Sequence, residues 1–266
     1  MAQSIPVREG SLTSPRVRLI TSEAPWHWLE AGWRDMLKTP LSSLVYGLVF
    51  VIMGYYLTNV VVGEFHLALA LTAGFLLVGP FLAMGLYDLS RSLEQGKPAT
   101  LGASLLAWRS NLMAILLFGI VIGLVLIIWV RASAVLFGAL LLTDTPSVET
   151  NTASLFFFGD GLKFLLIFAL IGAILAGVVF TISVVSIPML LDRPVDFITA
   201  VETSIAAVRA NPGPMILWAA LIVMFTGVGL VPIPYLDIAP GLLVTMPLIG
   251  HATWHAYRDV VEPAKS

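Results

Sequence analysis

Two histidines, His251 and His255, are the residues best spaced for chemistry in this 266-residue chain. On a helix, residues four apart share a face, and neutral imidazoles so placed can ligate a divalent metal. A third or fourth ligand would have to come from Asp259 or Asp88. The preferred reading is plainer: both histidines are interfacial polar groups that hydrogen-bond neighbouring helix ends. No cofactor is therefore expected, with a haem or divalent metal as the minor alternative. The stretch lacks the glutamate of a HExxH zinc peptidase. Cysteine is absent, which excludes disulfides, thiolate metal sites and cysteine nucleophiles. No nucleophile elbow, phosphate loop or carboxylate dyad is present, so the chain reads as non-enzymatic.

A second group of polar residues is expected where helices leave the membrane. It comprises Arg34, Asp88, Arg91, Arg109, Arg209, Trp254, Arg258 and Asp259, with Tyr87 and Tyr257 nearby. One reading makes these interfacial anchors and Arg–Asp pairs that hold amphipathic segments down. The other makes them a basic ring at a cytoplasmic mouth, contacting an anionic lipid head group or a partner protein.

The elements that position these residues are dictated by composition. The chain is 58% hydrophobic and 11% charged, with a mean hydropathy of +0.95. Soluble domains carry about 25% charged residues, so a surface this apolar calls for the bilayer as solvent. A net charge of −2 gives no reason to expect nucleic acid as a partner. The fold class expected is an all-α polytopic bundle of six transmembrane helices, arranged as three hairpins, each preceded by an amphipathic interfacial helix. Residues 1–24 are polar, lack the apolar core of a signal peptide, and read as a disordered cytoplasmic arm. Residues 25–262 form a single membrane domain.

In the first amphipathic helix Trp26, Leu29, Trp33, Met36 and Leu37 share a face, and Asp35 lies off it. Thr39-Pro40 reads as the N-cap and first residue of the first span. The second span runs from Leu67 through Pro80 and continues as a helix to a stop at Gly96. Leu101, Leu105 and Trp108 face one way in the second amphipathic segment. The third span, Leu112–Val130, carries Gly119 and Gly123, and Arg131 is placed at the far interface beside Trp129. Residues 132–142 either extend that helix or lie on the outer surface. A polar loop, residues 143–161, ends in an interfacial Phe156–Phe158 anchor. The fourth span, Phe164–Leu190, carries Ala173, Gly177 and Pro188. In the third amphipathic segment Ile198, Val201, Ile205 and Val208 line one face. The fifth span is Met215–Val231, and the sixth runs from Pro240 with Pro247 out to Val261. Both small-residue pairs are candidate helix contacts. Pro80, Pro188 and Pro247 are candidate kinks.

Three units, about 25–96, 97–192 and 193–262, share this plan, which points to internal repetition. Twelve of the fourteen basic residues fall on one side of the proposed topology. The positive-inside rule then puts both termini in the cytoplasm.

Several stretches together resemble a known family. They are Trp28-Leu-Glu-Ala-Gly-Trp-Arg-Asp35, Leu76-Leu-Val-Gly-Pro80, Val185-Ser-Ile-Pro-Met-Leu-Leu-Asp192, Ala210-Asn-Pro-Gly-Pro214 and Gly250-His-Ala-Thr-Trp-His-Ala-Tyr-Arg-Asp259. The chain is similar, from about Pro25 to Val261, to bacterial integral membrane proteins of domain of unknown function 2189. That resemblance implies a bacterial inner membrane, about six spans and no established activity. Some relatives carry the name cytochrome c oxidase subunit I. The residues here do not support it, because two haems and a copper need several intramembrane histidines.

No Asp, Glu, Lys or Arg falls in the apolar part of any proposed span. Intramembrane ionisable groups mark ion and proton pathways, so a carboxylate-driven pump is disfavoured. The expected role is an accessory or structural protein that binds membrane lipid or assists a membrane complex. The alternative is a small permease or channel for a neutral solute. Oligomeric state is not legible.

Overall fold

The computed structural model of the protein describes residues 4–6, 15–59, 71, 75, 79, 82–141, 159–231 and 239–263. Among these, the helices in chain order are α1 (Ala24–Lys38), α2 (Pro40–Asn59), α3 (Met84–Glu94), the single turn α4 (Leu101–Ser104), α5 (Leu112–Leu141), α6 (Gly159–Ser183), α7 (Ser186–Asp192), α8 (Phe197–Ala210), α9 (Pro212–Gly229) and α10 (Leu242–Val260). A 3₁₀ turn, Ala107–Asn111, leads into α5.

Among the described residues, three helical stretches are long and apolar enough to cross a membrane: Leu101–Leu140, Gly161–Asp192 and Pro212–Gly229. There are four if α1 and α2, which meet at 108°, count as one broken span. The second span and the 143–158 loop, with Pro80 and the Phe156–Phe158 anchor, lie largely outside the described residues.

α10 is the element around which the others assemble. It packs against α1, α2, α3, α7 and α9, and its residues from Met246 to Ala252 are all buried. It is less apolar than a lipid-facing span because neighbouring helices, not lipid, surround it. Close approach requires small residues, as is usual where helices pack without a hydrophobic driving force. A Cβ on Gly32 would stand 2.6 Å from the Ala252 nitrogen, and one on Gly47 would stand 2.2 Å from the Leu243 carbonyl oxygen. Leu243 is the residue whose carbonyl Pro247, lacking an N–H, leaves without its helical donor. α2 therefore lays its glycine against the carbonyl that Pro247 leaves free.

Gly123 and Gly177, from the two small-residue pairs, do not form such seams. A Cβ on Gly123 or Gly177 would meet nothing within 4 Å. The close contacts fall at other glycines, Gly32 and Gly47.

α1 and α8 pack inward largely through small and polar positions and leave part of their large apolar face exposed. α1 buries Trp28, Leu29, Gly32 and Asp35 against α10, while Trp26, Trp33 and Leu37 are exposed. α8 buries Ala200, Thr203, Ser204 and Ala207 and exposes Ile198. In a bilayer, large apolar side chains lose nothing by facing lipid, whereas small and polar ones gain from close packing and hydrogen bonds. The segment before α5 is not one amphipathic helix, because α4 ends at Ser104 and the 3₁₀ turn follows.

Other boundaries follow local chemistry. Asp196 caps α8 by accepting the Thr199 N–H at 2.9 Å, as its position before the helix predicts. Gly96 stops α3 at φ 64°. There the Lys97 and Gly96 amides return to the Ser92 and Leu93 carbonyls, a Schellman ending. Thr39 stands between the two helices: it is the C-cap of α1, its hydroxyl donates to the Asp35 carbonyl at 3.0 Å, and its own carbonyl accepts the Ser43 N–H at 2.9 Å. α5 continues past Arg131 to Leu141, so residues 132–141 extend the helix. Trp129 is 2% exposed and packs on Phe168 at 4.7 Å, which makes it an internal contact between α5 and α6 rather than an interfacial anchor.

The fourth span breaks between α6 and α7, just ahead of Pro188. Ser204 fills the break: it accepts the Val185 N–H at 3.2 Å and donates to the Thr181 carbonyl at 2.7 Å.

The reading of residues 1–24 as disordered does not hold for residues 15–24. β2 (Arg16–Arg18) pairs antiparallel with β1 (Ser4–Pro6), and Val17 bridges Val261. Asn211 holds the strand from the other side, accepting the Ile20 N–H at 2.9 Å and donating to the Arg18 carbonyl at 3.0 Å. An extended segment persists where its backbone groups find partners, and these lie about 190 residues away or more in sequence, as with the Ile20–Asn211 separation of 191. The all-α description is amended by this small ribbon.

Candidate functional site

The polar helix end near His251 is built by four elements: α1, α2, α3 and α10. One helical turn beyond Pro247, His251 is fully buried. Its Nε2 lies 2.9 Å from Ser43 Oγ on α2, and its Nδ1 lies 2.8 Å from Ser90 Oγ on α3. Ser43 continues to Thr39 at 3.0 Å, and Thr39 donates to the backbone carbonyl of Asp35. The Asp35 carboxylate closes the circuit, hydrogen-bonded by Ser90 and by His255 Nε2 at 2.8 Å.

A neutral imidazole leaves four hydrogens for the five contacts of this ring, so each tautomer makes all but one of them. With hydrogen on Nε2, His251 donates to Ser43, Ser43 to Thr39 and Thr39 to the Asp35 carbonyl, while Ser90 donates to Nδ1. With hydrogen on Nδ1, His251 donates to Ser90 and Ser90 to the Asp35 carboxylate, while Ser43 donates to Nε2. Burial raises the Asp35 carboxyl, but the hydrogen bonds of His255 and Ser90 outweigh it, so Asp35 titrates below its ordinary range.

The two histidines do not converge on a common point. Each ring nitrogen of His251 already has a hydroxyl partner, and His255 Nε2 is taken by Asp35. Among the described residues, no group of three or more His, Asp or Glu is arranged to hold a metal ion.

A second cluster lies at the end of α10 and centres on Asp192, the last residue of α7. Its Oδ1 is 3.5 Å from Arg91 Nε, and its Oδ2 is 3.5 Å from both Arg193 Nε and Arg258 Nη1. The Tyr257 hydroxyl donates to Oδ2 at 2.6 Å. Arg258 also pairs with Glu94 at 2.8 Å, and Arg91 with Asp88 at 3.9 Å. Three carboxylates thus face three guanidiniums, a balance that lets half-buried charges persist. Arg193 also donates to the Glu262 carbonyl. The indoles join in, Trp254 donating to Glu94 at 2.9 Å and Trp28 to Asp259 at 3.0 Å. Burial holds Asp88 above the ordinary carboxylate range despite Arg91 and Lys97.

Of the residues expected at the mouth, the structure gathers Asp88, Arg91, Trp254, Arg258 and Asp259. It leaves three arginines apart: Arg34 pairs with Glu30 at 3.1 Å on the exposed side of α1, Arg109 stacks over Trp108 at 5.4 Å, and Arg209 is exposed. Sequence reasoning missed Asp35, Ser43, Ser90, Glu94, Asp192 and Arg193 as members of these clusters. Ser43 carried a usable signal, because a serine inside an otherwise apolar helix must find a partner. Asp192 did not, since its partners come from three separate elements.

Several long apolar helices define an integral membrane protein of the helical class. Residues 67–192 match the model of a family described as predicted integral membrane protein (DUF2189). No curated protein and no solved structure matches the chain.

Proposed function

We propose that this is a six-span protein of the bacterial inner membrane, built from three repeated units with both termini cytoplasmic. Its role is accessory rather than catalytic: it binds membrane lipid or assists a membrane complex, and it needs no cofactor. The observation that carries this reading is the closed condition of both polar clusters. His251, Asp35, Asp192 and Arg258 are each committed to other side chains, so none is offered as a free acid, base or nucleophile.

The groups left outward support lipid contact. Trp26 and Trp33 are exposed on α1, and Trp108 with Arg109 precedes α5. Indoles and guanidiniums of this kind favour the head-group level. The positive side of the topology and the amphipathic α1 and α8 support a cytoplasmic placement of this end. A permease comes second, because α10 fills the position among α1, α2, α3 and α9 that a passage would need.

The test is reconstitution of the full chain in liposomes, alongside identification of what co-purifies in mild detergent. Retained lipid or a stable membrane partner with no solute flux is expected. Solute-selective flux that disappears in Pro247→Ala, or a hydrolytic activity that disappears in His251→Ala, would sink the proposal.

A further inference from the structure

A cavity of about 600 Å³ lies between α3, α6, α9 and α10. Its size falls within the roughly 300–1,000 Å³ typical of sites that enclose a small ligand. The Ala173/Gly177 stripe forms one wall and Ala220 and Val223 another, with Ile249 behind. The small residues of α6 therefore do not seat a helix. They leave a space, since a Cβ on Gly177 would meet nothing within 4 Å.

The polar atoms in this wall are few, and most are occupied. Tyr87 hydrogen-bonds Thr253, Thr253 donates to the Ile249 carbonyl at 2.7 Å, and Thr226 donates to Met246 sulfur at 3.7 Å. Ser183 is different. It lines the cavity, is 1% exposed, and its hydroxyl has no partner. Ser183 is also the last residue of α6, at the end where α7 leads to Asp192 and the charged cluster. Water would not fill the space stably, because it needs two to four polar partners and an apolar wall supplies too few.

We infer that this cavity is a binding site for one acyl chain of a membrane phospholipid, whose ester carbonyl accepts a hydrogen bond from Ser183. The wall matches a hydrocarbon chain along its length. The unpaired hydroxyl stands at the polar end, the level at which the ester of a bilayer lipid lies. A carbonyl accepts without needing a donor in return, which is what a lone serine hydroxyl in an apolar wall can serve. This inference deepens the lipid-binding reading above and rests on it.

The experiment uses the full chain in nanodiscs of phosphatidylethanolamine and phosphatidylglycerol. The probe is a phosphatidylethanolamine with a diazirine in one acyl chain, and labelled peptides are mapped by mass spectrometry. Labelling is expected to concentrate on residues 173–184 and 216–226. Gly177→Leu and Ala220→Phe fill the space and are expected to abolish that labelling. Ser183→Ala keeps the volume, and the lipid is expected to exchange roughly three- to tenfold faster, as the loss of one hydrogen bond implies.

Labelling spread evenly over the outward faces of α2 and α5, or unchanged in Gly177→Leu, would overturn the site. Displacement of the probe by a neutral isoprenoid quinone at stoichiometric amounts would overturn its occupant. If lipid is retained on purification yet maps elsewhere, the site fails and the lipid-binding reading survives. If the purified protein retains no lipid, both fail.

Discussion

Asp35 Oδ2 and His255 Nε2 lie 2.8 Å apart although 220 residues separate them in sequence. The contact ties α1, an apparently peripheral helix, to the buried face of α10. It is also where the serine–histidine ring joins a group that titrates. Asp35→Asn is expected to lower stability in detergent by about 1–3 kcal/mol, the cost of breaking a charge-assisted, largely buried hydrogen bond. Thermal unfolding monitored by tryptophan fluorescence checks this, and an unchanged midpoint would show that α1 is held by packing alone.

The same residue sets an acid limit. Because the folded state holds Asp35 below its ordinary value, its contribution is present above the unfolded pKa and is lost as pH falls through the folded one. Stability should therefore drop below about pH 4, and the drop should shrink in Asp35→Asn. Asp88 is shifted the other way, chiefly by burial. Its ionised form is disfavoured in the fold, so Asp88→Asn should cost nothing at neutral pH, and the contribution of Asp88 should rise rather than fall on acidification; a loss comparable to Asp35→Asn at pH 7 would contradict that assignment.

His251→Ala should be worse than its size suggests. It leaves the hydroxyls of Ser43 and Ser90 without their shared partner in a fully buried site. We expect a loss of about 2–4 kcal/mol, from an unpaired polar group plus the void. The triple variant His251→Ala, Ser43→Ala, Ser90→Ala should recover part of it, because apolar replacement of every partner removes the unpaired groups. Strict additivity in chemical unfolding would count against the ring.

Glycine positions separate structural seams from apparent ones. Gly47→Leu puts a side chain where even a Cβ would be 2.2 Å from the Leu243 carbonyl. It should prevent a stable, monodisperse preparation. Gly123→Leu projects into open space and should change stability by no more than about 0.5 kcal/mol. Equal damage from both, measured by size-exclusion profile and melting temperature, would refute the packing described.

The Asp192 cluster predicts a contrast among arginines. Asp192→Asn strips the shared carboxylate from Arg91, Arg193 and Arg258 and should loosen α7 from α10, seen as faster amide hydrogen exchange there. Arg209→Ala should leave that exchange unchanged, because Arg209 stands outside the cluster. Protection lost in both variants would mean that the basic residues act as one field rather than as specific pairs.

What the residues alone determine is the solvent and the local punctuation. Long uncharged runs such as Leu112–Val130 can be satisfied only by a bilayer and a helix, because every backbone group must be paired within the segment. The Asp196 cap, the Gly96 stop and the break ahead of Pro188 are equally local, and each stands where the sequence places it. Which face of α1 or α8 packs on the rest of the protein was not legible from the hydrophobic pattern. In lipid, that pattern no longer distinguishes inside from outside, since Trp26 and Ile198 are as well solvated by acyl chains as by protein. Only the tertiary structure decided that small and hydroxyl-bearing positions face in, that Asp35 and Asp192 rather than Asp259 anchor the polar end, and that Gly177 borders a space instead of a helix. The reason is that hydrogen bonds and close backbone contacts are satisfied between elements far apart in the chain, where no spacing rule reaches.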